Sequence, residues 1–315
     1  MTTRFVSPPR PPRAVGAHPI VRVVAPSGSL AGHADALEAG VRRLEAAGAR
    51  VRLDEGRARA QSRGYLAGPD EVRSAELLDA LTEPDVDIVW AARGGSGLGR
   101  LGPALLSASA MRDAPPKIVV GFSDITTLLE HLTSQLRWTT FHGPVITSLG
   151  RPESIAFDLD AALALLRGEL HEVALSAPSS VTLEGRLRGG NLTVLASLVG
   201  TPLAPRPLTP GPELWVLEDV SEAPYRLDRA WTQLLSSGAL DSAVAVWLGD
   251  LDLEPSVTES VAERLREDLG RPVLTGAPAG HRGTLSLLPM GARVRLTEGE
   301  AALSLLEPVV DGGVA

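Results

Sequence analysis

Lys117-Ile118-Val119-Val120-Gly121-Phe122-Ser123-Asp124-Ile125-Thr126 is an apolar run that halts at a glycine and restarts as a helix. Ile118, Val119 and Val120 make the short, continuously hydrophobic stretch of a central parallel strand, buried on both faces. Ile125, Leu128, Leu129 and Leu132 then recur at helical spacing. Ser123 therefore stands where strand turns abruptly into helix, two residues after Gly121. At such a junction a hydroxyl is lifted above the sheet edge, where the free N–H groups and positive end of the helix stabilise negative charge. Two readings fit the same residues: a nucleophile, or an N-cap, because Ser and Asp both accept hydrogen bonds from a first helical turn. The hydrolase elbow G-x-S-x-G fits only in part, since Ile125 occupies its second glycine position.

Upstream, Ile20-Val21-Arg22-Val23-Val24-Ala25 reads as a first strand ending at Pro26-Ser27-Gly28-Ser29, and His33 to Ala47 as an amphipathic helix closed by Gly48. A short strand over Arg50 to Leu53, a helix from about Pro69, and a third strand over Val86 to Ala91 follow. A fifth strand is expected over Trp138 to Phe141. Such alternation predicts a parallel sheet covered by helices, with ligands at the carboxyl ends of its strands, where Ser123 lies.

Downstream, 151–180 reads as a connector with one helix near Ile155 to Leu166. The rest mixes helices with strands over Val181 to Leu187, Glu213 to Leu217 and Ala243 to Leu248. It ends in short strands over Pro272 to Thr275, Thr284 to Leu288, Ala292 to Leu296 and Ala302 to Leu305. The expected fold class is α/β: an N-terminal parallel-sheet domain of flavodoxin- or amidotransferase-like type, plus a C-terminal mixed α/β, β-rich domain. The boundaries are a disordered, Pro-rich leader over 1–18, a first domain over 19–150, a linker over 151–180 and a second domain over 181–308.

At 315 residues, 44% of them hydrophobic, the chain has room for two cores. Its net charge of −8 disfavours nucleic acid and anionic membrane as partners. The absence of cysteine excludes disulfides, thiolate metal sites and cysteine nucleophiles, and is compatible with the cytoplasm. The first eighteen residues lack the apolar stretch of a secretory signal, and no window approaches a membrane span. A soluble protein is expected.

Ala92-Arg93-Gly94-Gly95-Ser96-Gly97-Leu98-Gly99 directly follows the third strand, and its glycines let backbone N–H groups face an anion. A ligand-free turn, a dinucleotide loop and an oxyanion hole beside Ser123 are the three readings. The second is weakest, because the G-x-G-x-x-G match is displaced from the strand end and is followed by Pro103. A serine nucleophile needs a base oriented by a carboxylate. His142, at a strand end in the same domain, and His281, held between glycines in the other, are equal candidates from the residues alone. Glu218, Asp219 and Glu222 are the carboxylate candidates, with helix capping before Pro224 as their structural alternative. No H-E-x-x-H or paired histidines at metal-ligand spacing occur, so neither metal nor cofactor is expected.

These residues together resemble the LD-carboxypeptidases, serine peptidases that trim murein peptides, and their microcin-immunity relatives. The collinear match runs through Val23–Gly28, Ala92–Gly95, Gly121–Thr126, Phe141–Pro144, Gly189–Leu192, Leu217–Val220, Pro224–Arg229 and Gly280-His281. About 280 residues are covered, all but the leader and the extreme C-terminus. The resemblance implies a triad of Ser123 as nucleophile, His281 as base and acid, and Glu218 orienting it, with Gly95 and Asp124 N–H groups as the oxyanion hole. It also implies substrate contacts from Arg93, Gly94, Ser96, His142 and Asn191, no cofactor, and a homodimer. Ser96 departs from the aromatic residue usual after the glycine pair, which bears on substrate contacts rather than on the chemistry. The implied substrate is a cytoplasmic muropeptide losing its terminal D-alanine. Two alternatives remain: an immunity-type peptidase cleaving peptidyl-nucleotide toxins, and a noncatalytic two-domain ligand-binding protein.

Overall fold

A computed structural model of the chain describes residues 7–54, 62–208 and 211–312. The N-terminal half supplies β1 (Ile20–Val24), β2 (Arg50–Arg52), β3 (Ile88–Ala91), β4 (Ile118–Gly121) and β5 (Thr140–His142). They lie side by side in the order β2-β1-β3-β4-β5, all parallel. Every residue of β3 and β4 is buried, which is why these strands are apolar throughout instead of alternating. Strand order reverses between β1 and β3, so the loops leaving them splay apart and open a crevice at the carboxyl end of the sheet.

The segment expected to be a linker forms β6 (Ile155–Phe157), the helix Leu159–Leu166 and β7 (Glu172–Ala174). Ile155 to Phe157 is thus strand where helix was expected. The helix begins only after Asp158, whose carboxylate accepts the Ala161 N–H at 2.9 Å and so fixes the N-cap. Beyond it lie β8 (Leu183–Asn191), β9 (Glu213–Glu218), β10 (Ala243–Leu248) and β11 (Val273–Thr275), then β12 (Gly283–Leu285), β13 (Leu288–Met290), β14 (Arg293–Leu296) and β15 (Ala302–Leu305). Seven of these form a mixed sheet, β11-β10-β9-β8-β14-β15-β7, parallel from β11 to β8 and antiparallel thereafter. The two α/β units expected from the sequence are present, but the second sends strands back toward the first. β13 pairs antiparallel with β5 at the edge of the first sheet, and β12 pairs with β6.

The first α/β unit docks on the second sheet through the helix Thr126–Ser134. A Cβ on Gly190 would lie 2.6 Å from Thr126 Cγ2, so only glycine lets the end of β8 approach this closely. Behind that contact, fully buried Arg188 donates to Glu130 Oε1 at 2.6 Å and to Glu213 Oε1 at 3.1 Å, and its guanidinium lies 4.7 Å from the Trp215 ring centroid. The charges are paired across the interface, as burial demands.

Residues 7–18 differ from the disordered leader expected of them. Arg10 N–H donates to Arg137 O at 2.6 Å, Ala14 N–H to Asp311 O at 2.7 Å and Val15 N–H to Leu166 O at 3.1 Å. Pro9, Pro12 and Val15 are buried. Prolines carry no N–H to satisfy, so this extended segment lies against the body with few hydrogen-bond obligations of its own. Residues 1–6 of the expected leader lie outside the described residues.

Candidate active site

Phe122 follows β4 in extended geometry, with φ −153°, and Ser123, at φ 64°, opens a short 3₁₀ turn over Ser123–Ile125. A serine in the left-handed region costs on the order of 1–3 kcal/mol and persists only when its surroundings hold it there. Asp124 supplies that hold. Its buried Oδ2 accepts the Ser27 hydroxyl and, at 2.9 Å, the Leu98 N–H, pinning the elbow to the loops that follow β1 and β3. Burial pushes the Asp124 carboxyl above its ordinary pKa, while Ser27, Leu98 and Arg73 pull it back. Neither Ser123 nor Asp124 caps the helix through its side chain, so the capping alternative does not account for them.

The glycine loop lies directly beside the elbow. A Cβ on Gly94 would fall 2.9 Å from Ser123 Cβ and 3.0 Å from its Oγ, so the backbone there is in contact with the hydroxyl. Gly28 N–H donates to Gly94 O at 3.0 Å, and Arg93 Nη1 donates to Ser29 O at 2.8 Å. A Cβ on Gly97 would overlap Leu66 Cδ2 and lie 3.3 Å from Arg73 Nη1, so the backbone there packs closely on side chains. Nothing in the sequence marks Arg73, since one arginine in an amphipathic helix looks solvated. It is buried, donating to Pro26 O, to Gly97 O and Gly68 O at 3.1 Å each, and to Asp70 Oδ1 at 2.6 Å.

Glu218 is the last residue of β9 and is fully buried, and its Oε2 lies 2.9 Å from His281 Nδ1. Backbone hydrogen bonds carry the strand ladder on to the histidine loop: Gly249 N–H to Leu217 O at 2.9 Å, Asp219 N–H to Asp250 O at 3.1 Å, and Asp250 N–H to Ala279 O at 2.8 Å. The imidazole is thereby fixed although it belongs to no strand. Burial opposes its charge, but the carboxylates of Glu218, Asp219 and Asp250 outweigh that and raise its pKa. Burial likewise raises Glu218, against the opposing pull of His281. The other two acids are occupied elsewhere. Asp219 accepts from Asn191 Nδ2 at 3.2 Å, Val220 N–H at 2.9 Å and the Thr193 N–H and hydroxyl at 2.9 and 2.7 Å, whereas Glu222 pairs with Arg226 at 2.5 Å.

A model of the LD-carboxypeptidase N-terminal domain matches residues 21–143, and one of the LD-carboxypeptidase C-terminal domain matches residues 184–296. The chain belongs to the LD-carboxypeptidase family. This makes the protein a hydrolase of the serine-carboxypeptidase type. The chain is 35% identical over 288 residues to the murein tetrapeptide carboxypeptidase of Pseudomonas aeruginosa, covering 86% of this chain and 91% of that one. It resembles the solved muramoyltetrapeptide carboxypeptidase of Oxalobacter formigenes with a TM-score of 0.73 at 31% identity, covering 91% and 97% of the two chains. An MccF-like protein from Bacillus anthracis shares the fold, with a TM-score of 0.79 at 20% identity over 94% and 98% of the chains.

Ser123 and His281 of this LD-carboxypeptidase line one cleft of about 470 Å³, together with Arg93, Gly94, Gly95, Phe122, Arg151 and Val220. The Phe122 ring lies 4.6 Å from the imidazole, centroid to centroid. Among the described residues the Ser123 hydroxyl and His281 share no hydrogen bond. Such contacts are often long before substrate binds. Three residues expected to touch substrate do not line the cleft. His142 is wholly buried in β5 between β4 and β13, its pKa pushed down to about 3 by burial and then by the nearby His281. Asn191 is buried as the N-cap of the helix Leu192–Leu198, accepting the Val194 N–H at 3.0 Å. Ser96 is exposed beside the cleft without lining it. No group of three His, Cys, Asp or Glu residues among those described is arranged to hold a metal ion. No helix among them is long and apolar enough to cross a membrane.

Proposed function

We propose that this LD-carboxypeptidase releases the terminal D-alanine of murein tetrapeptides in the cytoplasm, as a homodimer and by a serine mechanism. The observation that carries this reading is the buried Glu218–His281 pair, 2.9 Å apart, facing the same cleft as a serine held at φ 64°. In the proposed cycle Ser123 Oγ attacks the scissile carbonyl carbon and passes its proton to His281 Nε2. His281 Nδ1–H donates to Glu218, which fixes the tautomer and stabilises the imidazolium. Gly95 and Asp124 N–H groups receive the oxyanion, an assignment supported by the contact of the glycine loop with the Ser123 hydroxyl. Collapse breaks the C–N bond as His281 protonates the leaving amine of D-alanine. Water, deprotonated by His281, then attacks the ester carbonyl, the bond from that carbon to Ser123 Oγ breaks, and His281 returns the proton to Oγ.

Bringing Ser123 and His281 into contact requires only local movement in this scheme. β12 and β13, which follow His281 within ten residues, are already bound to β6 and β5, and these pairings oppose a wide interdomain hinge. Murein tetrapeptide is preferred over a peptidyl-nucleotide toxin because the relative with 35% identity is a murein tetrapeptide carboxypeptidase, whereas the microcin C7 self-immunity protein of Escherichia coli is 23% identical. Purified protein offered the tetrapeptide L-Ala-γ-D-Glu-meso-diaminopimelate-D-Ala and, separately, a peptidyl adenylate is expected to release D-alanine from the first. Cleavage of the adenylate alone reverses the assignment. Binding of the tetrapeptide with no turnover supports the noncatalytic alternative.

A further inference from the structure

The cleft that holds Ser123 and His281 has an unbalanced lining. Two guanidinium groups, Arg93 and Arg151, and two imidazoles, His33 and His281, face it, and no aspartate or glutamate is among its lining residues. His281 is answered by Glu218 behind it, but Arg93 and Arg151 have no acidic partner among the described residues, and two such guanidinium groups favour an anion between them. Arg93 is half-buried and gives one N–H to Ser29 O at 2.8 Å, leaving the rest of its donors. Arg151 follows the short helix Ile146–Leu149, in a turn closed by its own N–H on Ser148 O at 3.0 Å. Its Nη2 donates to His33 Nδ1 at 3.3 Å, which orients the guanidinium without neutralising it. Burial, then Arg93, then Arg151 lower the pKa of His33, in keeping with a positive field unanswered by any acid of the cleft.

We propose that Arg151, with Arg93 beside it, clamps the free α-carboxylate at the C-terminus of the substrate. This rests on the carboxypeptidase reading above and names the group that makes the enzyme an exopeptidase. The planar guanidinium fork matches a carboxylate in two parallel hydrogen bonds, which a carboxamide cannot reproduce because it offers one acceptor and presents donors to donors. Ile155 and Val145, apolar residues of the same lining, suit the small methyl of a terminal alanine. An arginine that grips the chain end sets where Ser123 attacks, one residue in, and so excludes internal peptide bonds.

The test compares kcat/KM of the full-length protein and Arg151→Gln on two substrates: L-Ala-γ-D-Glu-meso-diaminopimelate-D-Ala, and the same peptide ending in a carboxamide. The unsubstituted protein is expected to prefer the free acid by about 100-fold. Arg151→Gln is expected to lose about 10- to 100-fold on the free acid and to stay within about twofold on the carboxamide, with Arg151→Lys between the two. Because Arg151 is exposed, unaltered thermal melting of each variant is expected. A variant that keeps the original preference for the free acid overturns the clamp alone. Failure of the unsubstituted protein to cleave the free acid overturns the carboxypeptidase reading, and the clamp with it.

Discussion

Replacing Gly94 with alanine perturbs Ser123, the proposed nucleophile, without touching any ionisable group. The new methyl carbon falls 2.9 Å from Ser123 Cβ and 3.0 Å from Oγ, whereas ordinary contact begins near 3.4 Å. Either Ser123 or the loop must therefore retreat by about half an ångström in an interior that has little slack. Ser123 cannot yield cheaply, being held at φ 64° between β4 and its helix. Nor can the loop, because Gly28 N–H holds Gly94 O at 3.0 Å and a Cβ on Gly28 would lie only 2.6 Å from that oxygen. Misplacing a reacting group by 1 Å costs up to about 100-fold, so Gly94→Ala is expected to lower kcat/KM for the tetrapeptide by about 10- to 100-fold, or about 1.4–2.7 kcal/mol. Overpacking on this scale costs stability on the order of 1–3 kcal/mol and leaves the protein folded. Gly99→Ala is the control, since a Cβ there meets nothing within 4 Å. D-Alanine release, measured beside thermal melting, decides the matter. A folded Gly94→Ala variant with full kcat/KM refutes the placement of the loop against the hydroxyl.

Glu218→Gln is expected to reduce kcat by about 10³- to 10⁴-fold. Losing the carboxylate that does most to raise His281 leaves only Asp219 and Asp250 against burial, so the acidic limb of the residual pH–rate profile moves to lower pH, and a limb that stays put contradicts the pairing. Arg73→Met is expected to destabilise the fold by about 3 kcal/mol in urea titration, because the carbonyls of Pro26, Gly68 and Gly97 lose their buried donor. His131 and His142 are buried neutral, their pKa values pushed by burial down to about 4 and about 3. Their contribution to stability is complete above the ordinary value of 6.5 and is lost as the pH falls below it, because the unfolded chain then takes up protons that the folded chain refuses. His131→Leu is expected to flatten that acid slope of the unfolding free energy by about 1.4 kcal/mol per pH unit, and an unchanged slope counts against it.

Much of the candidate site is legible in the sequence because its parts are local. Ser123 declares itself through the apolar strand before it and the helical repeat after it, and Glu218 through its place at the end of β9. The choice between His142 and His281 was not local. Each follows a short apolar stretch and adjoins a glycine, and only the arrival of β13 beside β5 closes His142 off. That pairing joins residues more than 140 positions apart in the chain, and Leu288–Met290 carries no mark of which sheet it will enter. β13 is an edge strand, which is what tolerates Pro289 within it. The prolines of 7–12 misled for a related reason: composition records a lack of regular structure, not a lack of contacts. Arg73 and Arg188 were invisible because burial of an arginine depends on acceptors supplied by distant loops and strands.

The measurement that bears most directly on the triad is mass-spectrometric location of the adduct left by a serine-directed fluorophosphonate, with and without His281→Ala. One adduct is predicted, on Ser123, blocked by excess tetrapeptide and formed far more slowly in His281→Ala. An adduct on another serine, or labelling of Ser123 at an undiminished rate without the imidazole, contradicts the claim that these side chains act as one proton-transfer unit.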